Sequence, residues 1–237
     1  MVANYIICWP MAITARRHRH NASETNTSMT QPPSAGRSIV VFDLGGVLID
    51  WNPRHLYRKL IADEAAMEHF LATVCTQDWN ECQDAGRSFA EAAALLKAKH
   101  ADKAHLIDAF GERFDEMMAG PIAGTVDILG ELRARDVPLY GLTNFSAETY
   151  PLALKRFDFL AWFRGVLVSG EVGHIKPDPR IYHLLFERFA IPPHDAVYID
   201  DNPRNAAAAT ALGMHGIAFT DPPALRRELA GLGLLGA

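Results

Sequence analysis

Ile39-Val40-Val41-Phe42-Asp43-Leu44-Gly45-Gly46 is the stretch on which the fold of this chain turns. Four apolar, mostly β-branched residues in a row describe a strand buried on both faces, because a half-exposed strand would alternate apolar and polar positions. The acid that follows and the Gly-Gly turn end the strand abruptly. Three similar runs come much later, at Pro138–Leu142, Ala196–Ile199 and Gly216–Phe219, with a weaker one at Gly165–Val168. Helical-period segments neighbour them, at Thr125–Arg135, Asp178–Ala190 and Pro203–Leu212. Strands alternating with helices predict βαβ units and a parallel sheet, an α/β fold with a Rossmann-like core.

Residues 44–137 hold no strand-like run. Arg54–Leu60, Glu64–Val74, Ser88–His100 and His105–Met118 read instead as amphipathic helices, and Pro121 and Gly124 punctuate the return to the core. A crossover between parallel strands needs only about a dozen residues. The excess predicts an all-helical cap, residues 51–120, inserted after the first strand, over the carboxyl edge where open α/β sheets bind ligands. The core is then 38–50 and 121–237. Residues 1–37, with a basic block at Arg16–His20 and a polar Ser/Thr/Asn/Pro stretch, read as a disordered or non-native N-terminal extension, with Met29 as an alternative start. Their apolar and basic blocks are in the wrong order for a secretory signal.

Polar residues recur where the strands end. The first strand ends in Asp43, the second in Thr143-Asn144, the fourth in Asp200-Asp201, and Lys176 lies between the third strand and the next helix. Parallel strands place all these ends at one crevice. Any one of them alone reads as a helix cap or a turn residue, but caps do not explain two adjacent acids, a third acid and a lysine at one edge. Carboxylates there offer oxygen ligands to a hard ion such as magnesium, and the Lys176 ammonium and the Thr143 hydroxyl offer donors to an anion.

These residues, in this order and spacing, resemble the four motifs of the haloacid dehalogenase superfamily, over about two hundred residues from Ser38 to Phe219. The resemblance is greatest to members with a helical cap between the first two motifs. It implies Asp43 as a nucleophile that forms an aspartyl ester, and Thr143 and Asn144 as binders of the transferred group. It implies Lys176 as a screen for charge on nucleophile and substrate. It implies a magnesium (Mg2+) site made of Asp43, Asp200, Asp201 and the Gly45 carbonyl, and a small phosphorylated metabolite as substrate. One position departs from the phosphatase pattern. Where a second aspartate acts as general acid, contributing about 10²–10⁴-fold in rate, this chain has Gly45.

That departure admits a rival within the superfamily, a metal-independent 2-haloacid dehalogenase, whose halide leaves without a proton. Arg54, Arg58 and Arg87 are its candidate halide receivers, and none sits at the expected place; the acidic pair favours the phosphatase. A catalytically idle phosphate-binding or interaction protein is a further alternative, opposed by retention of nucleophile, lysine and acids. In the cap, Trp79–Ser88 is the stretch expected to touch substrate, whereas Trp79, His69 and, in the core, Tyr182 read first as packing residues.

The bulk properties restrict partners. A net charge of -5 gives no electrostatic reason to expect nucleic acid, and no run approaches the roughly 18–20 apolar residues of a membrane span. Cys8, Cys75 and Cys82 make neither a disulfide framework nor a zinc pattern, which suits a cytoplasmic protein with reduced thiols. The sequence leaves substrate identity and oligomeric state open.

Overall fold

In the computed structural model, residues 36–236 are described; the expectations for the N-terminal extension and for Cys8 lie outside them, apart from Gly36 and Arg37. Strand β1 (Ile39–Phe42) is followed by a short strand β2 (Ile49–Trp51) and then by helices α1 (Arg54–Tyr57), α2 (Glu64–Thr73), α3 (Gln77–Asp84), α4 (Phe89–Lys97) and α5 (Ala104–Glu112). A 3-10 turn at Phe114–Met117 leads into β3 (Met118–Pro121) and α6 (Ala123–Ala134). The chain then alternates: β4 (Leu139–Thr143), α7 (Tyr150–Arg156), β5 (Gly165–Val168), α8 (Ser169–Val172), α9 (Pro179–Phe189), β6 (Ala196–Asp200), α10 (Pro203–Ala211), β7 (His215–Ala218) and α11 (Pro222–Gly231).

Five strands form one sheet in the order β5-β4-β1-β6-β7, every neighbouring pair parallel. The continuous apolar character of β1 follows from its central place. Val40 and Phe42 face one core cluster and Val41 faces the other, so neither side of the strand meets water. The same alternation divides β6, with Val197 and Ile199 on one side and Tyr198 on the other. Tyr182 on α9 is fully buried, meets Tyr198 edge-on and donates its hydroxyl to the Asn205 carbonyl at 3.0 Å, which makes it a packing residue.

Between β2 and β3 the chain is helical, as its periodicity predicts, with one correction. The expectation of no strand in 44–137 fails at β2 and β3, which pair antiparallel, Ile49 opposite Pro121. Three and four residues with Gly120 and Pro121 in the run carry too little periodicity to announce themselves. The helices end earlier than expected and α3 is additional. Its start is legible afterwards: the Thr76 hydroxyl accepts from Trp79 N at 3.1 Å, a side-chain N-cap. The helical segment packs through aromatic rings. Tyr57 lies 5.0 Å from Phe70, Trp79 meets Phe110 edge-on at 5.0 Å, and Phe114 reaches Phe145, just past β4, at 5.5 Å. Trp79 is therefore packing, and His69 is exposed. Among the described residues no helix is long and apolar enough to cross a membrane.

Candidate active site

The sheet order brings the strand ends together. β1 lies between β4 and β6, with Phe42 level with Gly141 on one side and Ile199 on the other. The next residue, Asp43, is fastened by its own N–H to the Ile199 carbonyl at 2.8 Å. Asp43 Oδ1 accepts the Leu44 N–H at 2.7 Å, and its Oδ2 is 2.9 Å from Lys176 Nζ. That ammonium also reaches Asp200 Oδ2 at 2.7 Å and donates to the Leu142 carbonyl at 3.1 Å. A single buried lysine thus joins the ends of three strands.

Each partner of Lys176 is itself held. Asn144 Oδ1 accepts the Lys176 N–H at 2.8 Å and Asn144 Nδ2 donates to the Lys176 carbonyl at 3.1 Å, so its amide clamps the lysine's backbone from both sides. Asp200, wholly buried, accepts from Lys176, from the Tyr198 hydroxyl, from Asn202 N at 2.8 Å and from Asn205 Nδ2 at 3.0 Å. Asn205, which the sequence reading passed over, stands in the first turns of α10. Its signal was an amide a few residues beyond an acidic pair.

Electrostatics follow from this burial. The Asp43 carboxyl is pushed up to about 7, chiefly by burial, with Asp200 and Asp201 adding and Lys176 opposing. Burial alone would lower Lys176; Asp43 and Asp200 outweigh it and hold the ammonium above its ordinary range. Burial, then the neighbouring Asp200, raises Asp201. One cation among three acids leaves an excess of negative charge.

Oxygens of Asp43, Asp200 and Asp201 lie within 4.8 Å of one another. An all-oxygen donor set with uncompensated charge fits a hard divalent cation. Both oxygens of Asp200 already accept several hydrogen bonds, which leaves Asp43 and Asp201 as the freer carboxylates. Beside them, Gly46 N–H donates to the Ile49 carbonyl at 2.9 Å and Ile49 N–H to the Leu44 carbonyl at 2.8 Å, a ladder that passes over the Gly45 carbonyl. Gly46 is required here: it adopts φ +71°, and a Cβ on it would lie 2.3 Å from Asp201 Oδ2.

These groups open onto a cavity of about 480 Å³ lined from the sheet side by Asp43, Gly45, Asn144, Lys176 and Asp201. Thr143, 1% exposed, ends β4 behind this wall and is not part of the lining, unlike Asn144. Across the cavity stand residues no strand-end reading could find: Trp51, Arg54, Gln77, Asn80 and Asp84. Of the three arginines considered from sequence, Arg54 alone lines it, and its guanidinium is paired with both oxygens of Glu68, at 2.5 and 2.6 Å. Arg58 faces Glu64 at 3.5 Å, and Arg87 donates to Gln83 Oε1 and the Trp79 carbonyl.

A parallel-sheet edge with an aspartate after β1, a clamped lysine and an acidic pair at the end of β6 defines a hydrolase of the haloacid dehalogenase type. The profile of the haloacid dehalogenase-like hydrolases matches residues 38–213, and the chain belongs to that family. It is similar to a sesquiterpene phosphatase of Aspergillus oryzae, 24% identical over 189 residues that cover 80% of this chain and 93% of the relative. It is also similar to the chloroplastic flavin mononucleotide hydrolase 1 of Arabidopsis thaliana, 29% identical over 111 residues, 47% of this chain and 45% of that one. The match thus spans under half of that relative, and 18% of a drimenol cyclase of Aspergillus calidoustus. Among solved structures, a family enzyme of Bacteroides thetaiotaomicron bound to magnesium and inorganic phosphate superposes with a TM-score of 0.60 at 23% identity, covering 78% of this chain and 96% of that one. This likeness establishes the shared fold.

Proposed function

We propose that the chain is a magnesium-dependent phosphatase of small phosphomonoesters that works through an aspartyl phosphate on Asp43. The observation that carries this reading is the bridge from Lys176 to both Asp43 and Asp200, set beside an oxygen cluster with one acid, Asp201, still free to bind a cation. Phosphatases among the relatives and the phosphate complex of the Bacteroides enzyme support it.

In this reading Asp43, Asp201 and the Gly45 carbonyl hold magnesium, which would supply Lewis-acid stabilisation of the phosphoryl oxygens. Lys176 keeps Asp43 ionised, aims it, and offsets charge that grows on the transferred group. Asp43 attacks phosphorus as the ester P–O bond breaks, and water then cleaves the aspartyl phosphate. Asp200 and Asn144 are positioning residues that fix Lys176 at its head and at its backbone. Residues 51–120 act as a cap that shields the reaction from bulk water, entered and left through the β2–β3 ribbon; 38–50 and 121–237 are the core.

The dehalogenase alternative needs a cation free to receive a halide, whereas Arg54 is engaged by Glu68. The test is a panel of small phosphomonoesters and 2-chloropropionate, each with magnesium and with EDTA. Phosphate release that EDTA abolishes is expected. Chloride release that EDTA leaves untouched would overturn the reading.

A further inference from the structure

Gly45 offers no proton to a leaving alkoxide. The same cavity is lined by two further acids, both on α3: Glu81, half-buried, and Asp84, the last residue of the helix, which alone of the two is buried, at 7% exposed. The other two buried acids, Asp43 and Asp200, are ion-paired with Lys176; among the described residues Asp84 pairs with no lysine, arginine or histidine. Its Oδ2 accepts one side-chain hydrogen bond, from Asn80 Nδ2 at 3.1 Å. An ionised carboxylate so placed is costly, and a protonated one is not. Burial, with Glu81 adding, pushes this carboxyl up to about 7, against the opposing pull of Lys176 and the Ser146 backbone N–H.

Its position is set by the sheet, not only by its own helix. Ser169 Oγ donates to the Asp84 carbonyl at 2.6 Å, and the same oxygen accepts Phe145 N–H at 2.9 Å. The end of α3 is thereby pinned to the ends of β4 and β5, a fixed span from Asp43 and Lys176. Neighbouring Asn80 and Trp51 also line the cavity, and among the described residues their Oδ1 and Nε1 are buried without a hydrogen-bond partner.

We propose that Asp84 is the general acid and base of the reaction, supplying from α3 the proton that Gly45 cannot. The inference rests on the phosphatase reading. In the first step the Asp43 oxygen bonds to phosphorus, the ester P–O bond breaks, and the Asp84 carboxyl gives its proton to the departing oxygen, which leaves as an alcohol. In the second, water attacks phosphorus and gives a proton to the Asp84 carboxylate as the Asp43 O–P bond breaks. Phosphate leaves, and both acids return to their starting forms.

The test compares Asp84→Asn with the unaltered chain, in magnesium, on glycerol 2-phosphate and on 4-nitrophenyl phosphate. The alkyl ester needs its leaving oxygen protonated and is expected to lose about 10²–10⁴-fold in kcat/KM. The aryl ester leaves as a stabilised phenolate. It should show a rapid burst near one nitrophenolate per active site, followed by slow turnover, because the second step has lost its base. Asp84→Ser gives the same reading if Asp84→Asn does not fold. An equal loss on both esters without a burst, or undiminished turnover of the alkyl ester, overturns the role of Asp84 and leaves the phosphatase reading standing. Absence of phosphate release from both esters by the unaltered chain overturns both.

Discussion

The two walls of the cavity are built on opposite plans. On the sheet side most polar atoms are engaged, the buried Asn205 Oδ1 being an exception: Asp200 accepts from four residues, Lys176 donates to three oxygens, and the Asn144 amide is used at both ends. On the facing side, among the described residues, Asn80 Oδ1 and Trp51 Nε1 are buried without partners, and Asp84 makes no ion pair, with Lys176 acting on it only at longer range. A saturated network fixes geometry before substrate arrives, which is what a nucleophile needs. A less saturated one gives up stability, since each buried orphan group costs about 1–3 kcal/mol. We therefore expect the nucleophile and its supports on the strand ends, and the proton donor together with substrate choice on the facing segment.

The contrast is broken most directly at Asp43. Asp43→Asn keeps the shape of the wall and removes the proposed nucleophile, and we expect turnover to fall by at least about 10⁴-fold, the scale seen when a nucleophile is deleted. Phosphate release surviving at a tenth of its original rate would show that the saturated wall is not where the chemistry occurs.

Removing Lys176 attacks the same wall through its stability. Lys176→Met leaves two buried carboxylates without their cation, and a broken buried pair costs about 3–5 kcal/mol. Urea unfolding in EDTA measures this; a loss below about 1 kcal/mol would mean that the bridge holds nothing together. The acids also give the magnesium-free protein a pH dependence of known sign. Asp43 and Asp84 both rise from 3.8 to about 7 on folding, so the folded chain binds more protons than the unfolded one across that window. Their contribution is complete below about 4 and lost as pH rises through about 7. Unfolding free energy in EDTA should fall over that range, and Asp84→Asn should flatten part of the fall.

How much of this was legible in the sequence divides along the same line. Asp43, Lys176, Asp200 and Asp201 could be found because a parallel sheet converts strand ends into neighbours, and buried strands announce themselves as apolar runs. Asn144 was found too, but for another role: that it clamps the Lys176 backbone depends on a pairing 32 residues apart. The facing wall was named only as a stretch, Trp79–Ser88, and as Arg54 in the role of a halide receiver. Which of its residues reach the cavity depends on the start of α3 at its Thr76 cap and on Ser169 pinning Asp84 from 85 residues away. Helical periodicity marks an apolar face for packing, as it did for Trp79, and carries no mark for a polar residue that looks into a cavity. The β2–β3 ribbon escaped for a plainer reason, its brevity.

A smaller effect is expected at Gly46, where backbone and acid meet. In Gly46→Ala the added methyl would lie against the Asp201 carboxylate on a backbone of positive φ, so Asp201 must move. Displacing such a supporting contact typically weakens a metal by about 10–100-fold. Titration of magnesium against activity should shift its midpoint by that factor. An unshifted midpoint would remove Asp201 from the cation's ligands.

The smallest effect on folding belongs to the unsaturated wall. Asn80→Ala deletes a buried carbonyl that bonds to nothing and an amide that makes one hydrogen bond to Asp84. The loss of that bond and the relief of the orphan oxygen oppose each other, so unfolding free energy should change by less than about 1 kcal/mol. Turnover should suffer more than stability, because the bond removed is the one side-chain hydrogen bond that the Asp84 carboxyl accepts. A change at Asn80 that unfolds the chain as severely as Lys176→Met would make the two walls alike. One that leaves both stability and turnover untouched would mean that the Asn80 bond to Asp84 serves no purpose in the site. Between those outcomes lies the distinction itself: a residue whose replacement the fold tolerates and the substrate does not.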